Sequence, residues 1–439
     1  MELKPFRLFS KERGPVNNYR IPSIITANDG TVVACADARL YGGSDNPNRI
    51  EKVICRSFDN GRTWSDMTFA VRECGDSMDK SSAAIDPCLV FDRDKGTLLM
   101  LYSHTPAGVG ILNSRRGTGF DGRGRQIVMQ GKRRLALGDD GALYDGDDRT
   151  EFRVNDGFDV VGKDGVKVGN IRTGEGGFTE YRTSYMYLAK SFDNGATWTV
   201  PECISPSVKE KYMCFIGSGP GVGVQISEGA HKGRIVVPIY FTPRFWPLME
   251  CAACIYSDDG GNTWKRGGAM GENRRRLGIF KVGHRLIADG ERTSEAQIIT
   301  MPGGRLKAFI RNHSPKRRVA VAESDDGGET WFGFRYLDIP QPICQISALN
   351  VKDGDREATL VLNAASERKR EHGVIRLSYD HGETFVKSMT IKEGEFVYSC
   401  MTQMSDGSIG VLYEGSTMHE TVDFVRFTLD DIKSSTEEL

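Results

Sequence analysis

One octapeptide occurs five times along this chain, and any fold proposed for it must accommodate all five copies. Ser57 to Trp64 reads SFDNGRTW, Ser191 to Trp198 SFDNGATW, Ser257 to Trp264 SDDGGNTW, Ser324 to Trp331 SDDGGETW, and Ser378 to Phe385 SYDHGETF. The shared frame is Ser-x-Asp-x-Gly-x-Thr-aromatic. Asp and Gly are turn residues and the flanks are strand-like, so each copy predicts a hairpin turn. The Ser and Thr hydroxyls can bond across such a turn, and the aromatic can cover it from below. A single copy would mean little. Five in register are an internal repeat, which constrains the whole architecture.

The copies start 134, 66, 67 and 54 residues apart. Three of these intervals suit one supersecondary unit each, and the first is about double. Between the boxes run short apolar segments such as Thr31–Cys35, Thr97–Tyr102, Arg234–Tyr240, Leu306–Ile310, Thr359–Leu362 and Ile409–Tyr413. Long stretches of 3.6-residue periodicity are missing, apart from the tail beginning at Leu429. Repeated strand-rich units of this length predict an all-β fold, a β-propeller of four-stranded blades. The expected number is six blades, five carrying a box and one unboxed unit inside the long interval. The propeller is expected to be one domain over residues 1–439, with a small β-rich insertion at 110–177. That insertion is rich in Gly, Asp, Arg and Lys, with hairpin strands expected at Ala142–Tyr144, Glu151–Val154, Asp159–Val161 and Val166–Val168. A disordered loop is the competing reading there.

Composition narrows the function classes. With 58 basic and 59 acidic residues the net charge is −1, which offers no global field for nucleic acid or a membrane surface. No apolar run is long enough to span a membrane. The N-terminus has no apolar signal-peptide core, and the ten cysteines are scattered, so a cytoplasmic protein with reduced thiols is expected. Cys251 and Cys254 form the only CxxC. They sit on a strand-like run where i and i+3 face opposite ways, which favours core packing over a redox or zinc pair.

Chemistry-bearing residues fall at the ends of the apolar segments. They include Arg20 in Tyr19-Arg20-Ile21-Pro22, and Arg39 and Asp45 in the loop after the next strand. Glu295 lies in Ser294-Glu295-Ala296-Gln297, Arg311 follows the strand Leu306–Ile310, and Arg370 precedes the fifth box. Tyr398 and Glu414 lie at two strand edges of the last unit. Alone, each would be an ordinary surface residue. Relative to the repeat they fall at blade ends, where a propeller gathers side chains around its axis. The run Gly217 to Gly223 lacks the Gly-Lys-Ser/Thr ending of a phosphate loop and fits a tight strand entry.

The boxes, the Tyr-Arg-Ile-Pro start and the phrases around Tyr398 and Glu414 resemble the exo-sialidases (neuraminidases), the bacterial ones above all, over nearly the whole chain. The resemblance implies a role for each residue. Arg20, Arg311 and Arg370 would form the arginine triad for the substrate carboxylate, with Arg368 a rival for the third place. Asp45 would be the acid/base, and Tyr398 with Glu295 the nucleophile and its base. Arg39 and Asp86 would contact the sugar, and Glu414 would orient Arg20. Phe245 and Trp246 would either stack on the next sugar or pack inside.

The substrate's chemistry requires the same residue types. Sialic acid bears a carboxylate on its anomeric carbon, which three permanently charged guanidiniums can bind. A carboxylate nucleophile would be repelled there, whereas a tyrosine is neutral until it reacts; sialidases are a recognised exception to the two-carboxylate rule. Tyrosine needs a base, and Glu295 would serve. Asp45, as the acid, is expected to have a raised pKa in the complex. No metal and no cofactor is implied, because no His/Cys/Asp cluster has ligand spacing. The expected partners are sialylated oligosaccharides or glycoproteins, with no nucleic acid and no membrane span; oligomeric state has no sequence signal. Two other readings stay open. One is transfer, including intramolecular transfer to a 2,7-anhydro product, through the same site. The other is a non-catalytic glycan-binding Asp-box propeller.

Overall fold

In the computed structural model, which describes residues 3–243, 249–272, 275–276, 280–281, 292–418 and 420–437, every box follows the third strand of a four-strand meander. The third strands are Ile50–Ser57, Tyr185–Ser191, Cys251–Ser257, Arg318–Ser324 and Glu371–Ser378, each ending on the box serine. The box is a closed hydrogen-bond circuit. In the first copy Ser57 Oγ donates to Asp59 Oδ1 (2.8 Å), and Gly61 N–H donates to Ser57 Oγ (2.9 Å). Thr63 N–H and Oγ1 then donate to the two Asp59 oxygens (2.8 and 2.6 Å). Gly61 sits at φ 75°, which a side chain would strain. These bonds, led by that from Thr63, lower the Asp59 pKa to about 2, so the turn stays ionised and satisfied. Beneath it, Trp64 meets Phe424 edge-on at 5.0 Å.

The fold is all-β and propeller-like. Four blade sheets stand separately. Three have the strand orders Thr293–Met301/Arg305–Asn312/Arg318–Ser324/Phe332–Pro340, Ser347–Asp353/Arg356–Ala364/Glu371–Ser378/Lys387–Glu395, and Ser399–Gln403/Ile409–Tyr413/Val422–Phe427/Phe6–Phe9. The fourth is built on Phe215–Ser218, Ile235–Thr242, Cys251–Ser257 and Lys265–Ala269. The expectation of six separate blades is therefore corrected, and so is the place of the unboxed unit: it is the last sheet, while the long first interval holds the insertion. Strands of the first two repeat units belong to one nine-stranded sheet, because Ala83 lies parallel to Ile50 and bridges it. The last blade takes its outer strand from the start of the chain, with Phe6 opposite Phe424 and Phe9 opposite Val422.

Second strands such as Thr97–Thr105 and Ile235–Thr242 are buried along their whole length, packed on both faces by neighbouring sheets, and so read as continuous apolar runs. Cys251 and Cys254 are buried in two different apolar clusters, on opposite faces of one strand. Residues Gln126–Glu180 form a further seven-stranded sheet with its own small core of Val128, Leu135, Leu143, Val160, Ile171 and Phe178. It is inserted between Thr97–Thr105 and Tyr185–Ser191, which pair antiparallel with Tyr185 opposite His104. The tail forms one short helix, Leu429–Lys433, capped by Thr428 and Asp431. No helix among the described residues is long and apolar enough to cross a membrane.

Strand direction sets what meets what. Boxes follow the ends of third strands. Starts of first strands, ends of second strands and starts of third strands therefore converge on the opposite end of the meanders, as the register Asn18↔Arg39 shows.

Candidate active site

Three first strands break register at that converging end, each at a chemistry-bearing residue. The ladder slips between Arg20 and Ser23, between Ile85 and Cys88, and between Thr293 and Ala296. The unpaired residues are Ile21-Pro22, Asp86-Pro87 and Ser294-Glu295. Proline has no N–H to give the ladder, and a bulge re-aims the side chains beside it. Ile21 (φ 56°) and Asp86 (φ 63°) adopt left-handed backbone that only a tightly determined site sustains.

The result is a cavity of about 290 Å³ lined by Arg20, Asp45, Asp86, Glu295, Arg311, Arg370 and Tyr398, among others. Tyr398 donates its hydroxyl to Glu295 Oε1. Arg311 Nη1 reaches both partners, 2.7 Å from Glu295 Oε2 and 2.7 Å from the Tyr398 oxygen. The guanidiniums of Arg20 and Arg370 lie 5.6 and 5.8 Å from the centre of the Tyr398 ring. Burial and the Glu295 charge push the phenol well above its ordinary pKa, against the pull of Arg311 and Arg370. The ring is thus a neutral hydroxyl bonded to a carboxylate that can take its proton.

Arg20 is fixed from behind. Its Nε donates to Glu414 Oε2 (3.0 Å), while the Ile21 N–H donates to Glu414 Oε1 (2.9 Å). Glu414 has no exposed surface. Burial opposes the Arg20 charge, but Glu414 and Asp45 outweigh it, and Arg20 stays cationic. Arg39 does not line the cavity. It holds Asp45, with Nη1 at 2.7 Å from Oδ1, and is itself held by Asp37 (3.2 Å). The Asp45 side chain is 66% exposed and also touches Arg20 at 3.2 Å. Asp86 accepts from the Tyr240 hydroxyl at 3.3 Å. Burial and the charges of Asp37, Glu295 and Asp45 raise its pKa well above the carboxylate range, against the pull of Arg39. Tyr240 reaches it across Gly217, where a Cβ would stand 2.4 Å from the Tyr240 ring.

Of the residues singled out from sequence, Arg20, Asp45, Asp86, Glu295, Arg311, Arg370 and Tyr398 meet in one cavity, and Arg39 and Glu414 stand directly behind it. Arg368 is exposed and outside the lining. Phe245 and Trp246 lie outside the described residues, and Phe241 of the same aromatic run packs in a buried cluster. Sequence reasoning missed Asp37, Lys52, Tyr240, Glu250 and His313. Asp37 accepts from both Arg39 and the buried Lys52, and its signal was its place two residues before Arg39 on one strand face. Glu250 and His313 line the cavity and approach each other to 3.2 Å. Tyr240 lay hidden in an apolar strand.

Comparison with known proteins gives a family model, BNR repeat-like domain, matching residues 170–411. The anhydrosialidase of Macrobdella decora is 29% identical over 470 residues, covering 91% of this chain and 58% of its own. A sialidase of Bacteroides fragilis is 25% identical, covering 93% and 62%. This chain therefore spans about three fifths of the length of those two relatives. In fold, the intramolecular trans-sialidase of Ruminococcus gnavus superposes with a TM-score of 0.82 at 24% identity, over 99% of this chain and 98% of that one.

Proposed function

The chain belongs to the sialidase family built from BNR repeats, and on that premise we propose that it is an exo-α-sialidase, a retaining glycoside hydrolase that removes terminal sialic acids from oligosaccharides or glycoproteins. The observation that carries the reading is the Tyr398–Glu295 hydrogen bond, set among three guanidiniums in one cavity. Arg20, Arg311 and Arg370 bind the substrate carboxylate. Asp45 protonates the glycosidic oxygen as the Tyr398 oxygen attacks the anomeric carbon and Glu295 takes the phenolic proton. The sialyl-tyrosine formed is then hydrolysed by water that Asp45 deprotonates, and two inversions leave net retention. Asp86 serves the sugar's hydroxyl and N-acyl side, while Arg39, expected from sequence to contact the sugar, is buried behind the cavity and holds Asp45. In the free protein Asp45 shares Arg20, so an arriving carboxylate displaces it toward Arg39. The architecture we read behind this site is one catalytic domain of six repeat units. The nine-stranded sheet counts as two units joined at one bridge, and residues 110–177 are an insertion within the second.

Intramolecular transfer is the second reading. It is favoured by the similarity to an anhydrosialidase, and Ile21, Ile85, Ile111 and Phe215 in the cavity lining supply apolar surface that would compete with water there. Proton NMR of 3′-sialyllactose digestion decides. Early α-configured free sialic acid supports retaining hydrolysis, and a 2,7-anhydro product supports internal transfer. First-formed β-anomer would overturn the tyrosine mechanism.

A further inference from the structure

We propose that Arg115, Arg116 and Arg182 form an anion subsite on the rim of the cavity, which takes a second acidic group of the substrate, a carboxylate or sulfate ester on the aglycone glycan. The proposal rests on the sialoside reading of the cavity and adds a substrate class to it.

The loop that carries Arg115 and Arg116 is tied to the cavity at two points. Ile111, four residues before Arg115, lines the cavity. Ser114 Oγ donates to the Cys214 carbonyl, one residue before the lining residue Phe215 (2.6 Å). The loop also abuts the acid/base loop, since a Cβ on Gly110 would stand 2.4 Å from the Asn46 carbonyl oxygen. The leaving group departs past Asp45, so the rim beside Asn46 is the rim that it crosses.

The charge there is unbalanced. Arg115 and Arg116 are exposed, and the Arg115 N–H donates to the Arg182 carbonyl (2.8 Å). The Arg182 guanidinium is braced on the Ala107 and Gly108 carbonyls (3.4 and 2.9 Å), a rigid presentation for a planar donor. No carboxylate is ion-paired with any of the three among the described residues. Burial, with the neighbouring Arg115 charge added, holds the Arg182 pKa below its ordinary value. Like charges brought together without a counter-ion are relieved by a bound anion, and guanidiniums match carboxylate and sulfate geometry.

The test is equilibrium binding to the full chain carrying Tyr398→Phe, which does not consume ligand under the tyrosine mechanism. The ligands are 3′-sialyllactose, an α2,8-disialyl-lactose and a sulfated sialyl-N-acetyllactosamine. The expected result is about tenfold tighter binding of an acidic-aglycone ligand than of 3′-sialyllactose. Arg115→Ala with Arg116→Ala should erase that gain while leaving 3′-sialyllactose within about twofold, and Arg115→Lys with Arg116→Lys should restore part of it. A gain for the disialyl or the sulfated ligand alone supports the subsite and names its acid. Equal binding of all three, or equal weakening of all three by the double Ala variant, overturns the subsite while the sialoside reading stands. Binding of none of them overturns that reading itself.

Discussion

In the proposed mechanism Asp45 and Tyr398 make separable demands on a substrate, and that separates their variants. Asp45 serves the leaving group, so its importance scales with how badly that group needs a proton. Asp45→Asn should lower kcat/KM on 3′-sialyllactose by roughly 10²–10⁴-fold. On an aryl sialoside, whose phenolate leaves unaided, the loss in the release step should be under about tenfold. Tyr398→Phe removes the atom that attacks and should cost at least about 10³-fold on both substrates. Parallel kinetics on the two substrates check this, and equal losses for Asp45→Asn on both would reject it as the proton donor. The side-chain geometry agrees with this division. Asp45 is largely exposed at the mouth on a loop, whereas Tyr398 is buried and clamped by Glu295 and Arg311. Exposure suits a group that must move between Arg20 and a glycosidic oxygen, and clamping suits a nucleophile that must not move.

At the scale of elements, the inserted sheet docks on the second repeat unit through a buried ionic cluster. His104 lies at the end of Thr97–Thr105, between Glu73 (Nδ1, 3.0 Å) and Glu180 of the insertion (Nε2, 2.8 Å). Arg172, also of the insertion, reaches Glu73 at 2.7 Å, and Tyr185 and Tyr187 flank the imidazole. Burial and Arg172 oppose the imidazolium, yet the two carboxylates outweigh them and raise its pKa above 6.5. Burial opposes the Glu73 charge as well, but Arg172 and His104 bring its pKa down to about 2, and His104 lowers that of Glu180. The signs fix a window. The carboxylates contribute stability that is present above their unfolded value of 4.5 and lost as pH falls toward 2. His104 contributes stability that is full below 6.5 and lost as pH rises through its folded pKa. Stability of the docked insertion should therefore be greatest between pH 4.5 and 6.5. His104→Gln should flatten the alkaline limb and cost about 3–5 kcal/mol inside the window, because it leaves buried carboxylates uncompensated. Thermal melts against pH, with limited proteolysis of residues 126–180 alongside, read both effects; an unchanged alkaline limb would remove His104 from the account.

The whole molecule was legible where one segment speaks for itself. The box frame announced a repeated turn, and strand-end arginines and carboxylates announced a site at one end of the meanders. Arg20-Ile21-Pro22 and Asp86-Pro87 also carried a bulge signal in plain view, a proline inside a strand within two residues of a charged one. What stayed hidden depends on segments meeting. Tyr240 matters because Gly217 lets its ring pass to Asp86, and the joining of the first two units hangs on where one linker sets Ala83 beside Ile50. Ring closure belongs to the same class. The last sheet would end on an open edge at Val422–Phe427, and the strand Phe6–Phe9 covers it. Phe9 is fully buried and lies 6.2 Å from the Tyr19 ring, one residue from Arg20, so closure couples the start of the chain to the cavity. Phe6, on the same strand, is 46% exposed and supplies an internal control. Phe9→Ala should destabilise by about 3–5 kcal/mol and Phe6→Ala by under about 1 kcal/mol. If closure holds the ring as a unit, Phe9→Ala lowers the midpoint seen by every probe together. If the strand frays alone, hydrogen exchange rises at Val422–Phe427 while the global midpoint stays put, and the coupling of closure to the site is lost.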